Sequence, residues 1–305
     1  MASSLRELRQ RRNSVAATKK ITRAMELIAA SRIVKAQQIA RSAMPYTTAL
    51  THAVSALATY SDTLDHPLLT DHQPPRRSAM LLITGDRGLA GAYSSSVIKA
   101  AEQLHAKLVG EGQENVQYIT GKKGVAYFDF RKRVVERSWT GFSDAPQPSH
   151  AREIAKELIG KFLLPYEDGG VDQIHIVSTR FVSMLTQQAT AVRLLPLAVE
   201  DEADDAVTAP GDVLPYYEFE PSPKVVLDQI LPMYVTNRIY TALLQSSASE
   251  LASRQRAMKS ATDNAQQLME RLTREANQAR QAEITQEISE ITGGAAALAE
   301  AAGNE

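Results

Sequence analysis

The last third of the chain carries a seven-residue hydrophobic repeat that extends from Ser222 to about Leu298. This stretch contains no proline after Pro232 and no glycine before Gly293. A repeat of this length predicts one supercoiled helix, roughly 100 Å long, whose seam packs against a partner. Pro232 predicts either a bend or a helix that begins just after it. The repeat positions are Ile230, Asn237, Leu244, Leu251, Met258, Ala265, Leu272 and Ala279.

Residues 3–60 predict a second long helix, because they contain no glycine and their first proline is Pro45. Ser4 and Glu7 have the spacing of a capping box at its start. A long rod is not stable alone in water, so the simplest arrangement pairs the two terminal helices in antiparallel fashion. An incomplete apolar stripe is formed by Leu5, Leu8, Val15, Ile21, Met25, Ile28 and Ile39.

The middle third of the chain changes to short apolar runs that alternate with helical segments. This alternation predicts a parallel or mostly parallel sheet covered by helices. Proline-containing linkers suggest three domains: an N-terminal helix and linker (1–75), an α/β domain (76–215) and a C-terminal helix (216–305). We expect strands at 79–84, 116–120, 133–136, 174–178 and 190–197, helices at 94–109, 122–129 and 150–162, and Trp139 in a loop.

Charge is balanced overall, with 34 basic and 35 acidic residues, but it is unevenly distributed. Residues 1–41 carry ten basic and two acidic side chains, whereas residues 286–305 carry four acidic side chains and no basic one. The basic helix could contact nucleic acid, but it lacks interleaved aromatic residues and a recognisable binding fold. We therefore interpret it as a charged rod that runs through acidic surroundings.

Composition excludes several classes of protein. The absence of cysteine rules out disulfides, thiolate catalysis and cysteine metal sites. No apolar run approaches the 18 or so residues that cross a bilayer, and no signal peptide is visible. The Ser- and Arg-rich start is similar to an organellar transit peptide, although the predicted helix already accounts for it. The chain is expected to be a soluble cytoplasmic protein.

Residues 84–93, TGDRGLAGAY, follow a predicted strand and open a helix, where a dinucleotide-binding loop would lie. Their glycine spacing is not that of the nucleotide motifs, and Asp86 would place a carboxylate where phosphates should bind. A tight turn is the preferred interpretation. Six histidines are scattered without ligand spacing, and His175 is expected to be structural. No set of residues predicts catalysis, a cofactor or a metal site.

Four segments together resemble one known family. Residues 19–29, KKITRAMELIA, resemble the N-terminal K-I-T-x-A-M motif of the γ subunit of F-type ATP synthases. Residues 257–265, AMKSATDNA, resemble its A-M-x-x-A-T-D-N-A block, and residues 84–93 its D-R-G-L-x-G element. Residues 284–295 match its C-terminal signature. The matches cover the whole chain in the family's order.

Further details of the resemblance indicate a bacterial protein. Residues 65–69 and 138–142 look similar to actinobacterial members, and the cysteine-bearing insert of chloroplast members is absent. The family implies an antiparallel coiled coil with an inserted Rossmann-like domain that binds no nucleotide. It also implies a central stalk whose partners are the α and β subunits of the catalytic ring, the ε subunit and the membrane c ring, at the cytoplasmic face of the plasma membrane.

The resemblance also implies contacts for individual residues, for each of which ordinary helix or loop surface is the alternative. Arg280, Gln281 and Thr285 match residues that grip loops of the catalytic ring. The basic face of residues 6–35 would meet acidic loops of β, and small residues at 293–297 would turn in an apolar sleeve. Met25 matches a position close to β, and Tyr217 and Glu220 match the foot on the c ring.

Two other functions stay open at this point. The chain could be a coiled-coil scaffold or tether with a non-catalytic α/β docking domain, or a nucleotide-dependent enzyme with helical arms. A scaffold would leave ATP turnover by the α and β subunits unchanged, whereas a shaft would be required for it. Micromolar nucleotide binding by the isolated chain would support the enzyme.

Overall fold

The computed structural model describes residues 5–60, 66–71, 73–197, 220 and 222–302. The helices are α1 (Leu5–Tyr60), α2 (Tyr93–Gly110), α3 (Lys122–Phe130), α4 (Pro148–Phe162) and α5 (Pro223–Ala302). The strands are β1 (Arg77–Ile83), β2 (Glu114–Thr120), β3 (Arg137–Trp139), β4 (Gln173–Phe181) and β5 (Gln187–Leu195), and a 3-10 helix spans Tyr166–Asp168. The chain divides into two compact units, one of Met1–Ile28 with Arg256–Glu305 and one of Ala29–Gln255.

In the first unit, α1 and α5 pair in antiparallel fashion. Leu8 is buried in a cluster with Leu272. The hydroxyl oxygens of Thr22 and Thr262 are 2.8 Å apart in a buried hydrogen bond. Residue numbers rise along α1 as they fall along α5, which confirms the antiparallel pair expected from the two hydrophobic stripes. The threonine pair explains a polar position of the seam, since one hydroxyl donates to the other and each also lies within hydrogen-bond distance of a carbonyl of its own helix.

The second unit is built on a five-stranded sheet in the order β3-β2-β1-β4-β5. Every neighbouring pair is parallel except β4 and β5, which are antiparallel. Side chains of β1 alternate between two cores, as a strand requires. Ala79, Leu81 and Ile83 share a cluster with α4 and α5. Met80 and Leu82 pack with α2 and α3 on the opposite face.

The two long helices also pair within the second unit. Ile33 and Ala36 of α1 form a buried cluster with Leu251 of α5. Further along, the Asn237 amide nitrogen donates to the Thr47 hydroxyl at 3.0 Å. A polar residue at a seam position costs stability but fixes the register of the two helices. This hydrogen bond therefore accounts for the interruption of the repeat at Asn237.

The predicted fold class, a coiled coil from both termini with an inserted α/β domain, is confirmed. α5 starts at Pro223 and continues through Pro232 as one helix, so the helix does not begin after that proline. The domain boundaries at residues 75 and 215 stay a prediction. Ser4, proposed for the capping box, lies outside the described residues.

One strand prediction is wrong. Residues 133–136 do not form a strand, because β2 pairs instead with Arg137–Trp139. Val134 is 85% exposed, whereas Trp139, expected in a loop, is buried within β3. Val134 and Val135 favour a strand by local preference, but pairing with a neighbouring strand decides which residues enter a sheet.

A pH-dependent stability is expected from His175 in β4. Burial, together with the positive charges of Arg193 and Lys107, lowers the pKa of His175 to about 4. In the unfolded chain this histidine binds a proton below about pH 6.5, so only the unfolded state is stabilised as the pH falls toward 4. The free energy of unfolding should therefore decrease by roughly 3 kcal/mol more in the wild type than in His175→Gln between pH 7 and pH 4.

Urea unfolding followed by the fluorescence of Trp139, the single tryptophan, measures this difference. Carboxylates that titrate in the same range affect both proteins equally, so subtracting the two pH profiles isolates the histidine. Parallel profiles would show that His175 is accessible to protons in the folded state.

Candidate coupling surface and the carboxyl edge of the sheet

Residues 281–295 of α5 are exposed on all sides. Among the described residues, the outermost cluster between α1 and α5 in the first unit includes Leu5 and Ala279. Every described side chain from Gln281 to Ala295 is exposed. Within this segment Ile284, Ile288 and Ile291 are 44%, 56% and 71% exposed and have helical spacing, so they share one face. Exposed apolar side chains on one face are typical of a surface that another protein covers.

Three of the predicted contact residues lie at the start of this exposed segment. Arg280 and Gln281 are exposed, and the Gln281 side-chain amide makes no hydrogen bond with other described residues. The Thr285 hydroxyl donates to the Gln281 carbonyl at 2.9 Å, so its proton is used within the helix. Arg280 and the Gln281 amide are thus the donors that remain for another chain.

Met25 lies at a different level of the α1–α5 pair. It is half-buried and is followed by Glu26, whose carboxylate accepts from Arg23 at 2.8 Å. Thr22 faces Thr262, so Met25 is separated from Arg280 by about 20 residues of α5, or roughly 30 Å. The structure does not bring Met25 together with the other three residues.

The predicted foot is described only in part. Glu220 is exposed. Tyr217 lies outside the described residues, as does the acidic segment 200–205.

The carboxyl ends of the parallel strands, where doubly wound sheets bind ligands, are filled by the chain itself. The Asp86 carboxylate accepts hydrogen bonds from the backbone N–H groups of Lys122, Gly141 and Ser143 at 3.1, 2.8 and 3.0 Å. The Lys122 N–H lies at the start of α3, where a phosphate would bind. Asp86 therefore takes donors that a nucleotide would need, which agrees with a tight turn at 84–93.

The cavity beside Asp86 has a volume of about 10 Å³. This is near the lower limit for a single water molecule. Within the described ranges, no three histidine or acidic side chains are grouped so that they could hold a metal ion. In the same part of the chain, no helix combines the length and the apolar character needed to cross a membrane.

Glu250 and Arg254 of α5 are functional candidates that the sequence did not reveal. Their side chains form an ion pair at 2.5 Å, with Glu250 0% and Arg254 8% exposed. An acidic and a basic residue four positions apart are usually a solvent-exposed helix pair. The spacing was visible in the sequence, but its burial depends on the loop that covers it.

Comparisons with known proteins agree over the full length. The family model described as ATP synthase matches residues 4–298. The ATP synthase gamma chain of Nocardioides sp. is 60% identical over 306 residues and that of Cutibacterium acnes 58% over 316, with 100% of both chains covered in each case.

Solved structures share the fold. A chain of the Euglena gracilis mitochondrial ATP synthase, from its OSCP/F1/c-ring structure in rotational state 3, is 16% identical with a TM-score of 0.67, covering 96% of this chain and 94% of that one. A chain from the central stalk and c-ring of the Tetrahymena thermophila mitochondrial enzyme is 22% identical with a TM-score of 0.57, covering 79% and 99%.

A coiled coil with an inserted α/β domain, together with full-length matches to ATP synthase gamma chains, defines a non-catalytic stalk protein. The chain belongs to the ATP synthase γ chain family. It is a central-stalk subunit of an ATP synthase complex.

Proposed function

We propose that this chain is the rotor shaft that converts rotation of the membrane c ring into conformational change at the catalytic β subunits. The exposed end of α5, Gln281–Ala295, is the observation that carries the proposal. An isolated helix with three exposed isoleucines on one face needs a surrounding surface. A sleeve formed by the α and β subunits supplies one, and the small residues Gly293 and Gly294 permit rotation within it.

The paired part of the shaft supplies stiffness. Besides the buried threonine pair, Lys19 donates to the Gln266 side chain at 2.6 Å across the two helices. Two helices joined by hydrogen bonds resist twisting better than one, so torque reaches the exposed end of α5. Each catalytic subunit then responds only to the difference between the contacts that the shaft makes with its open and closed states. Coupling therefore acts in both directions, from rotation to nucleotide affinity and back.

The family resemblance supports specific contacts for the candidate residues. Arg280, Gln281 and Thr285 grip loops of the catalytic ring, and Arg280 and the Gln281 amide act as the donors. Met25 lies close to β at a lower level of the shaft. The basic face of residues 6–35 meets acidic loops of β.

The opposite end of the shaft meets the membrane rotor. Tyr217 and Glu220 form the foot on the c ring, beside the ε subunit. The subunit is peripheral, at the cytoplasmic face of the bacterial plasma membrane.

Co-expression with the α and β subunits tests the shaft against a scaffold. Sustained, cooperative ATP hydrolysis should require this chain, and the purified complex should contain one copy per three β. A scaffold would leave ATP turnover unchanged when it is omitted. Isothermal titration of the isolated chain with ATP, ADP and NAD tests the enzyme alternative, which predicts micromolar binding.

Replacing Met25 with lysine should impair proton pumping more than ATP hydrolysis. A new positive charge beside acidic loops of β would favour one of their states and so hold the shaft in one position. We expect the number of protons pumped per ATP to fall about fivefold. This corresponds to about 1 kcal/mol, the lower end of typical coupling free energies. Proton pumping and ATP hydrolysis are measured on the same membrane vesicles.

Two variants serve as controls for this experiment. Met25→Gln has a similar length without the charge, and Met44→Lys makes the same change at an exposed position of α1 outside residues 6–35. Both should couple normally. Equal loss of pumping and hydrolysis in Met25→Lys would argue against a coupling role for this position.

A further inference from the structure

Glu250 and Arg254 form a buried ion pair on α5 within the second unit. Arg254 Nη2 lies 2.5 Å from Glu250 Oε1, and both side chains are shielded from water. Moving two charges out of water costs free energy that their mutual attraction often fails to recover. Burial accordingly raises the pKa of Glu250, while its hydrogen bond and charge interaction with Arg254 oppose this shift. The pair is therefore better explained by what it holds in place than by stability alone.

The pair holds the loop between β1 and α2. Arg254 Nε and Nη2 both face the Gly88 carbonyl oxygen at 3.4 Å, and the Arg87 carbonyl oxygen lies 3.5 Å from Nη2, at the long end of hydrogen-bond distances. On the other side, a Cβ atom at Gly85 would lie 3.0 Å from the Glu250 carboxyl carbon. Glycine at this position lets the loop approach the carboxyl group closely. The ion pair on α5 is thus enclosed by residues 85–88.

A second set of contacts connects this loop to α1. Asp86 accepts from the backbone N–H groups of Gly141 and Ser143 in the loop that follows β3. In the same loop, Asp144 accepts from Arg32 of α1 at 2.6 Å. The carboxyl ends of β1 and β3 are therefore tied by polar contacts to both long helices. We name this cluster the carboxyl-edge joint: Arg32, Asp86, Asp144, Glu250, Arg254 and the backbone of residues 85–88 and 141–144.

We infer that the carboxyl-edge joint transmits torque between the sheet of the second unit and the segments of α1 and α5 packed on it. This inference rests on the proposed function as a shaft. Apolar contacts are non-directional. If apolar contacts alone held the helices on the sheet, the helices could slide over it. Hydrogen bonds from a guanidinium fork to backbone carbonyls are directional and resist shear. Glu250 and Arg254 are accordingly positioning residues that occupy the edge where related sheets bind a ligand.

The double variant Glu250→Leu/Arg254→Met tests the joint. It keeps side-chain volume and leaves no unpaired buried charge, so the fold should be retained. The amides of Gly141 and Ser143 donate to Asp86, and the amide of Asp86 donates to the Ser143 hydroxyl at 2.9 Å. In the assembled complex we expect hydrogen exchange at these three amides to accelerate about tenfold or more, because their hydrogen bonds depend on the joint. Protons pumped per ATP against a large gradient should fall about twofold, with ATP hydrolysis maintained.

The matched control is Arg271→Met/Glu275→Leu, which removes an exposed Arg–Glu pair with the same spacing on the same helix. It should change neither exchange at the three amides nor pumping. Arg254→Lys is a second test that keeps the charge but loses the fork, and it should also accelerate exchange.

Two results would overturn the inference. Unchanged exchange in both joint variants would show that the ion pair does not hold the loops. Faster exchange with wild-type pumping at a large gradient would show that the joint carries no torque. Hydrogen exchange does not depend on rotation, so a joint that fails can be distinguished from a complex in which the chain is not a shaft.

Discussion

Replacing Gly121 with alanine is expected to destabilise the second unit by about 4 kcal/mol or more, the sum of backbone strain and overpacking. Gly121 precedes α3 with φ of 89°, and a Cβ atom would lie 2.2 Å from the Thr84 carbonyl oxygen. The neighbour cannot move away, because the Thr84 hydroxyl and N–H both bond the Thr120 carbonyl. Gly121 itself donates to the Trp139 carbonyl at 2.8 Å, so three strand ends meet here. Urea unfolding followed by Trp139 fluorescence measures the loss.

Two other glycines separate the causes of this effect. Gly112 has φ of 82° with no atom within 4 Å of its Cβ position, so Gly112→Ala tests strain alone at roughly 1–2 kcal/mol. Gly160 lies in α4 with open space around it, so Gly160→Ala should stabilise the chain by about 0.5–1 kcal/mol. If Gly121→Ala were as stable as Gly112→Ala, the close contact with Thr84 would contribute nothing to the loss of stability.

Replacing Gln281 with leucine is expected to reduce ATP turnover of the assembled complex about tenfold while the shaft stays folded. The Gln281 amide is exposed at the start of the segment where α5 leaves α1, and its hydrogen bonds to the catalytic ring would be lost. One or two such bonds contribute about 1–2 kcal/mol, and about 1.4 kcal/mol corresponds to a tenfold change in rate. Steady-state ATP hydrolysis measures turnover, and circular dichroism of the free chain measures helix content.

Gln267→Leu is the matched control, because Gln267 is also exposed and lies two heptads earlier on α5. It should hydrolyse ATP at the wild-type rate. Full activity of Gln281→Leu would remove Gln281 from the proposed grip, and a loss of helix content would assign its effect to folding.

The long helices could be predicted from sequence because their evidence is repeated over many turns. The seven-residue repeat of α5 stays recognisable despite single polar residues such as Asn237 and Thr262. The helix α1 is recognisable as a long stretch without glycine. Strand positions were less predictable. Val134 and Val135 favour a strand locally, yet β2 pairs with Arg137–Trp139, because hydrogen bonding to a neighbouring strand outweighs local preference.

The proposed coupling residues came from motifs and not from chemistry visible in their side chains. Arg280, Gln281 and Thr285 look like ordinary helix surface, since their function would depend on other chains. The buried pair of Glu250 and Arg254 looked equally ordinary. Its exposure is set by the loop at residues 85–88, which is more than 150 residues away in the sequence.

The sequence by itself determined the two terminal helices, the α/β class of the middle region and the family, because periodicity and motifs are local properties. The tertiary structure decided which polar residues are buried and what they hold, as at Thr22 with Thr262 and at Glu250 with Arg254. The physical reason is that the free energy of a polar side chain depends on whether a distant segment excludes water and offers a partner. Spacing along one helix contains no information about either.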